Sequence, residues 1–240
     1  MPDKLDDFSR AFYPFLHPDD RKPADLIGDL MKDLRFSLME KVRESAEVKT
    51  RFFEVNHDAI LNASLAIARA YHENHKMLVC GNGGSATDAQ HVAVEFMHPI
   101  TVGRKALSAI CLSNDMAMVT AVANDESFRD VFTRQVIALG CKGDILLGIS
   151  TSGNSENIIS AFEAARRMGI VTIGYAGGEG GRMRELHERG GLDFCLTVPT
   201  SSIHRIQESH VTLYHTMWDL VHTFLQTPAF LQATQQRREK

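Results

Sequence analysis

MLVCGNGGSATDAQHVAVEF (77–96) sets an apolar run against a glycine-rich turn and then a segment with helical spacing. The run shows no polar alternation, which is the pattern of a strand buried on both faces in a parallel sheet. Glycines in the turn permit close backbone approach and positive φ, and the free N–H groups of the helix start suit an anion or a polar ligand. A strand-end glycine turn by itself fits tight turning as well as ligand binding.

Four further apolar runs follow: LSAICL (107–112), ILLGIS (145–150), IVTIGYA (170–176) and FCLTV (194–198). The stretches between them are long enough for crossover helices. The alternation predicts an α/β fold, a doubly wound, mostly parallel five-stranded sheet flanked by helices. Upstream, Leu26, Leu30, Leu34, Leu38 and Val42 recur at four-residue steps, and Leu61, Leu65 and Ala68 form a second set, so an N-terminal helical arm of two or more helices is expected. The predicted division is an irregular arm over 1–22, N-terminal helices over 23–75, a core over 76–226 closed by an amphipathic helix from Ser202 to Leu225, and a polar tail over 227–240.

The 240 residues carry a formal net charge of -4, with the basic residues dispersed, which argues against a nucleic-acid surface. No apolar stretch reaches the roughly 20 residues of a membrane helix. Cys80, Cys111, Cys141 and Cys195 are widely spaced with no CxxC pair, and the acidic start MPDKLDDFSR is no secretory leader. Free thiols and a cytoplasmic location are expected.

In such a sheet, chemistry gathers beyond the carboxyl ends of the strands. The third run leads into ISTSGNS (149–155), where Ser150, Thr151, Ser152 and Ser155 surround Gly153 and Asn154 ahead of a helix. Several hydroxyls with helix N–H groups make a neutral phosphate cradle. The GxxxxGK[ST] spacing is absent, so this is no Walker loop, and a serine-rich N-cap is the simpler alternative. His91 and Glu95 stand four apart, on one helix face. Gln207 and His215 stand eight apart, about 80° around a helix axis. Either pair alone fits solvated surface as well as a ligand set.

Together, CGNGGSATDAQH (80–91), ANDESF (123–128), GDILLGISTSGNS (143–155) and RIQESHVTLYH (205–215) resemble the sugar isomerase (SIS) family, and within it the phosphoheptose isomerases, over residues 25–225. The resemblance implies a cytoplasmic homotetramer with sites formed between subunits, acting in heptose or lipopolysaccharide biosynthesis. It implies that Asn82, Gly83, Gly84, Ser85, Glu95, Asn124, Asp125 and Gln207 surround a phosphorylated sugar, and that Ser150, Thr151, Ser152 and Ser155 hold its phosphate. It further implies zinc on His91, Glu95, Gln207 and His215. Glu95 and His215 would then be the acid/base pair of an aldose-ketose isomerase, converting sedoheptulose 7-phosphate to D-glycero-D-manno-heptose 7-phosphate through an enediol. A non-enzymatic SIS protein that binds the replication initiator, or an isomerase or sensor of another sugar phosphate, are the alternatives. Two stretches depart from the family pattern. FMHPITVGRKALS (96–108) replaces an arginine-bearing TGRY-like segment, leaving Arg104 as a candidate substitute. His204 stands where an aspartate is common.

Overall fold

The computed structural model describes residues 23–231, with side chains from Leu30 onward. The predicted arm over 1–22 and most of the tail over 227–240 lie outside the described residues. Contacts divide the chain into one unit ending at Arg43 and another starting at Glu44.

The first unit contributes the beginning of helix α1 (Pro23–His72). The expectation of two or more helices ahead of the first strand is corrected here, because one unbroken helix of 50 residues occupies the segment. The gap between the two apolar sets contains neither proline nor glycine, so nothing in the backbone stops the helix. Within the first unit Leu30, Met31, Leu34, Phe36, Leu38, Met39 and Val42 are all exposed.

Among the described residues of the second unit, five strands and six further helices follow in the order β1 (Met77–Gly81), α2 (Gly84–Met97), β2 (Ala109–Cys111), α3 (Met116–Asp125), α4 (Val131–Leu139), β3 (Ile145–Ile149), α5 (Glu156–Arg167), β4 (Val171–Gly177), α6 (Gly181–Glu188), β5 (Phe194–Val198) and α7 (Ile203–Leu225). A single 3₁₀ turn, Phe128–Asp130, joins α3 to α4. All strand pairs are parallel, in the order β2-β1-β3-β4-β5. The LSAICL run supplies only a three-residue strand, since Leu107 bonds back to the Phe96 carbonyl and Leu112 reaches across to Val79.

Every residue of β1 and of β3 is buried. Alternate side chains of β1 enter opposite cores: Met77 and Val79 join Phe52, Ile67, Val92 and Met217, whereas Leu78 and Cys80 join Val131, Ile158 and Phe162. The unalternating sequence of these strands thus reflects two apolar faces, one packed on α1, α2 and α7 and the other on α3, α4 and α5. Cys80 and Cys111 are buried, Cys195 is partly buried, Cys141 is exposed, and all four thiols are free.

Strand order reverses direction between β1 and β3, the position at which open α/β sheets leave a crevice for ligands. The register pairs Gly81 with Ile149, so the loop starting at Asn82 and the loop starting at Ser150 leave the sheet side by side.

Candidate active site

The β1 loop turns on Gly83, whose φ of 55° favours glycine, and passes into α2 at Gly84. A Cβ on Gly84 would come within 2.3 Å of the Gln207 amide nitrogen, so that amide packs directly on the loop. Asn82 and Asn157 exchange reciprocal amide hydrogen bonds of 3.0 and 2.9 Å, tying the β1 loop to the first turn of α5 across the crevice. Ser85 is buried beneath the loop.

On the β3 side, Ser155 occupies the N-cap position of α5 without a side-chain capping bond. Its hydroxyl instead meets the Ser150 hydroxyl at 2.9 Å, and the Ser152 hydroxyl lies 3.5 Å from Ser150. The simpler N-cap reading therefore fails for the Ser155 hydroxyl, and three hydroxyls converge at the strand end. Gly153, at φ 66°, abuts the Gly180 carbonyl so closely that no side chain fits, which docks the loop onto the start of α6. Thr151, Ser152 and Asn154 line a neighbouring recess with Gly178, Glu179 and Ile203.

A cavity of about 500 Å³ opens between the two loops, lined by Asn82, Ser155, Glu156, Asn157 and the turn residues Ser127, Phe128 and Arg129. Asn124 and Asp125 precede this turn at the end of α3. Both are exposed, and the Asn124 amide donates to the Asp125 carboxylate at 2.8 Å. Ser127 and Phe128 close the ANDESF segment without being singled out by it, whereas Arg129 and Asn157 had no place in the sequence reading; the only signal for Arg129 was a cation directly after ANDESF.

The second constellation forms where α2 crosses α7. Three side chains gather there: the His91, Glu95 and His215 ligand atoms lie within 4.8 Å of one another. Glu95 Oε1 is 3.1 Å from His91 Nε2 and 3.8 Å from His215 Nε2, and the carboxylate is largely shielded while both imidazoles stay open to solvent. Behind them, the Tyr214 hydroxyl sits 2.8 Å from His91 Nδ1, and the Trp218 indole donates to the Glu95 carbonyl at 2.8 Å. Burial, reinforced by the Asp88 and Glu95 charges, pushes the Tyr214 phenol upward and keeps it protonated. One turn before His91, Asp88 is buried with one carboxylate oxygen lacking any hydrogen-bond partner. Burial pushes its pKa up to about 6, against the opposite pull of His91. Spacing alone had not singled out Asp88, Tyr214 or Trp218.

The departures noted in the sequence resolve structurally. Arg104 lies over the Trp218 ring at 4.5 Å and pairs with Asp219 at 2.6 Å, beyond the histidine cluster on α7. His204 is exposed in the first turn of α7, whose N-cap is Ser202.

Residues 42–177 match the SIS domain. The phosphoheptose isomerase of Desulfovibrio desulfuricans is 45% identical over 183 residues, covering 76% of this chain and 85% of that relative. The Helicobacter pylori phosphoheptose isomerase is 48% identical over 146 residues, covering 61% and 73%. The chain belongs to the phosphoheptose isomerase family of SIS domain proteins. The solved phosphoheptose isomerase from Neisseria gonorrhoeae superposes with a TM-score of 0.73 at 36% identity, covering 79% of this chain and 99% of that one. That from Francisella tularensis gives 0.74 at 35%, covering 78% and 97%. At these TM-scores and identities the two phosphoheptose isomerase structures share the fold of this chain, so the parallel five-stranded α/β architecture is the family's own.

The donor set of this family member fits a metal. Two imidazoles and one carboxylate oxygen converge at ligand spacing from two helices, a set suited to zinc with positions left for substrate oxygen. Were His91 Nε2 to hold a metal, Nδ1 would carry the ring proton and donate a hydrogen bond to the Tyr214 oxygen 2.8 Å away, which would fix the ring orientation.

Proposed function

We propose that this chain is an aldose-ketose isomerase that converts sedoheptulose 7-phosphate to D-glycero-D-manno-heptose 7-phosphate. The observation that carries the reading is the Glu95 carboxylate held between two solvent-accessible imidazoles where α2 meets α7.

Glu95 takes the C1 hydrogen of the ketose as a proton, the C–H electron pair becomes the C1=C2 bond, and O2 gains a proton from His215. Glu95 then returns the proton to C2 while His215 takes the O1 proton, which leaves the aldehyde at C1 and both groups as they began, so atoms and electrons balance without an external oxidant. A zinc ion on His91, Glu95, Gln207 and His215 would supply Lewis-acid stabilisation of the enediolate oxygens. Asn82, Gly83, Gly84 and Ser85, with Gln207 packed on Gly84, form the wall against the sugar carbons. Ser150, Thr151, Ser152 and Ser155 take the phosphate with the N–H groups of the α5 start. A glutamate at position 95 favours an enzyme over a non-enzymatic binding protein. Measured kcat/KM across five-, six- and seven-carbon ketose phosphates is expected to be highest for sedoheptulose 7-phosphate; no turnover of any member would overturn the reading.

Ser152→Ala and Ser155→Ala are each expected to weaken sugar phosphates by roughly 1.5–3 kcal/mol, the worth of a hydrogen bond to a charged group. The same substitutions should barely alter binding of an unphosphorylated sugar. Equal weakening of both ligand classes in calorimetry would contradict the phosphate role.

We further propose that the working form is a cytoplasmic homotetramer, with Asn124 and Asp125 serving a site shared between subunits. The apolar side chains exposed on the first part of α1, from Leu30 to Val42, are the surface such an assembly would cover. Light scattering of the purified chain is expected to give four times the chain mass, and Leu34→Glu with Leu38→Glu a smaller species. A monomeric mass for the unaltered chain would contradict this.

A further inference from the structure

A second cavity, of about 340 Å³, lies at the far end of α7, bounded by Tyr71, His72, Arg104, Lys105, His222 and Gln226 among others. His222 is two helical turns beyond His215, so roughly 10 Å further along the axis. Trp218 stands between the two histidines in sequence. The chain as a whole is acidic, yet among the described residues no acidic one lines this cavity, which carries an arginine, a lysine and two histidines.

Two of its side chains hold desolvated nitrogens without hydrogen-bond partners among the described residues. Arg104 is fixed on two sides, by the Trp218 ring at 4.5 Å and by Asp219, which accepts from Nη2 at 2.6 Å. Its Nη1 is buried and makes no hydrogen bond. His222 is only 3% exposed, and its Nε2 is likewise buried without a partner. Burial, and then the Arg104 charge, lower the His222 pKa, so the ring is neutral and can offer Nε2–H as a donor. Buried donors of this kind are unfavourable unless an acceptor meets them. A guanidinium already oriented by stacking loses little freedom when it binds an oxyanion, and an exposed lysine at the rim adds a second positive charge.

We infer that this cavity is a binding site for a small phosphate-type oxyanion, separate from the serine cradle, with Arg104 and His222 as its buried donors and Lys105 at its rim. The inference does not depend on the isomerase reading.

Trp218 is the chain's single tryptophan and lies under Arg104, so its emission reports on this cavity. The test titrates the full chain with inorganic phosphate into the tens of millimolar range, with sodium chloride holding ionic strength constant. Because Trp218 also touches the Glu95 carbonyl, the titration is repeated on the Ser152→Ala, Ser155→Ala double variant, in which the cradle is weakened. A saturable change in emission is expected for both proteins. Lys105→Glu, at an exposed position outside the catalytic groups, should keep Tm and turnover yet raise the apparent Kd for phosphate about tenfold or more. The proposal is overturned by the absence of a saturable response, by a response that disappears in the serine double variant, or by one that Lys105→Glu leaves unaltered.

Discussion

Glu95→Gln is expected to lower kcat by about two to four orders of magnitude, the usual worth of a positioned general base, while Tm stays nearly unchanged. Glutamine matches the shape of the carboxylate but cannot accept a carbon-bound proton. Both imidazoles face the carboxylate, at 3.1 and 3.8 Å, and the Glu95 backbone carbonyl is pinned by the Trp218 indole, so the substitution leaves the framework of α2 and α7 in place. Steady-state kinetics on refolding-competent protein decides the matter. Retention of more than about a third of the original kcat would remove Glu95 from the role of base, since a base contributes far more than that.

His215→Ala is expected to have the next largest effect, because one imidazole serves twice, as a proposed metal ligand and as the proposed acid. Its ring packs 5.0 Å from the His91 ring and 4.7 Å from Tyr214, yet faces solvent, so truncation opens no void in the core. Metal content of chelator-washed protein, measured by elemental analysis after zinc reconstitution, should fall well below one ion per chain. Turnover should fall by about two orders of magnitude or more. Full activity in strong chelator, together with no bound transition metal in the unaltered chain, would refute the metal assignment.

The sheet was legible because its strands are buried on both faces. MLVC, ILLGIS, IVTIGYA and FCLTV each fall within a residue or so of the strand they form, since no polar alternation blurs a strand with two apolar neighbours. LSAICL read too long because apolar composition cannot tell a ladder residue from Leu107 and Leu112, which pack and bond just outside it. The helices ahead of β1 were read as separate because the apolar set lapses after Val42, whereas helix continuity depends on the backbone having no breaker there.

The site was legible in halves. His91 with Glu95 and the serine run of the β3 loop follow from short-range spacing. That His215 reaches Glu95 depends on how α7 crosses α2, a tertiary relation that local pattern does not carry. Asp88 could have been found as the residue one turn before His91, and Tyr214 as the neighbour of His215. The Asn82–Asn157 amide pair, 75 residues apart, leaves no sequence signal at all.

Proton transfer through an enediol at the Glu95 cluster is the central claim, and turnover of sedoheptulose 7-phosphate in deuterium oxide tests it most directly. The account predicts that the aldose product carries solvent deuterium at C2 and that Glu95→Gln forms product of neither isotopic kind at a comparable rate. Product formed at full rate with hydrogen retained at C2, by the unaltered chain and by Glu95→Gln alike, would show direct transfer of hydride from C1, and failure to form product from this substrate would deny the activity itself; either result contradicts the account.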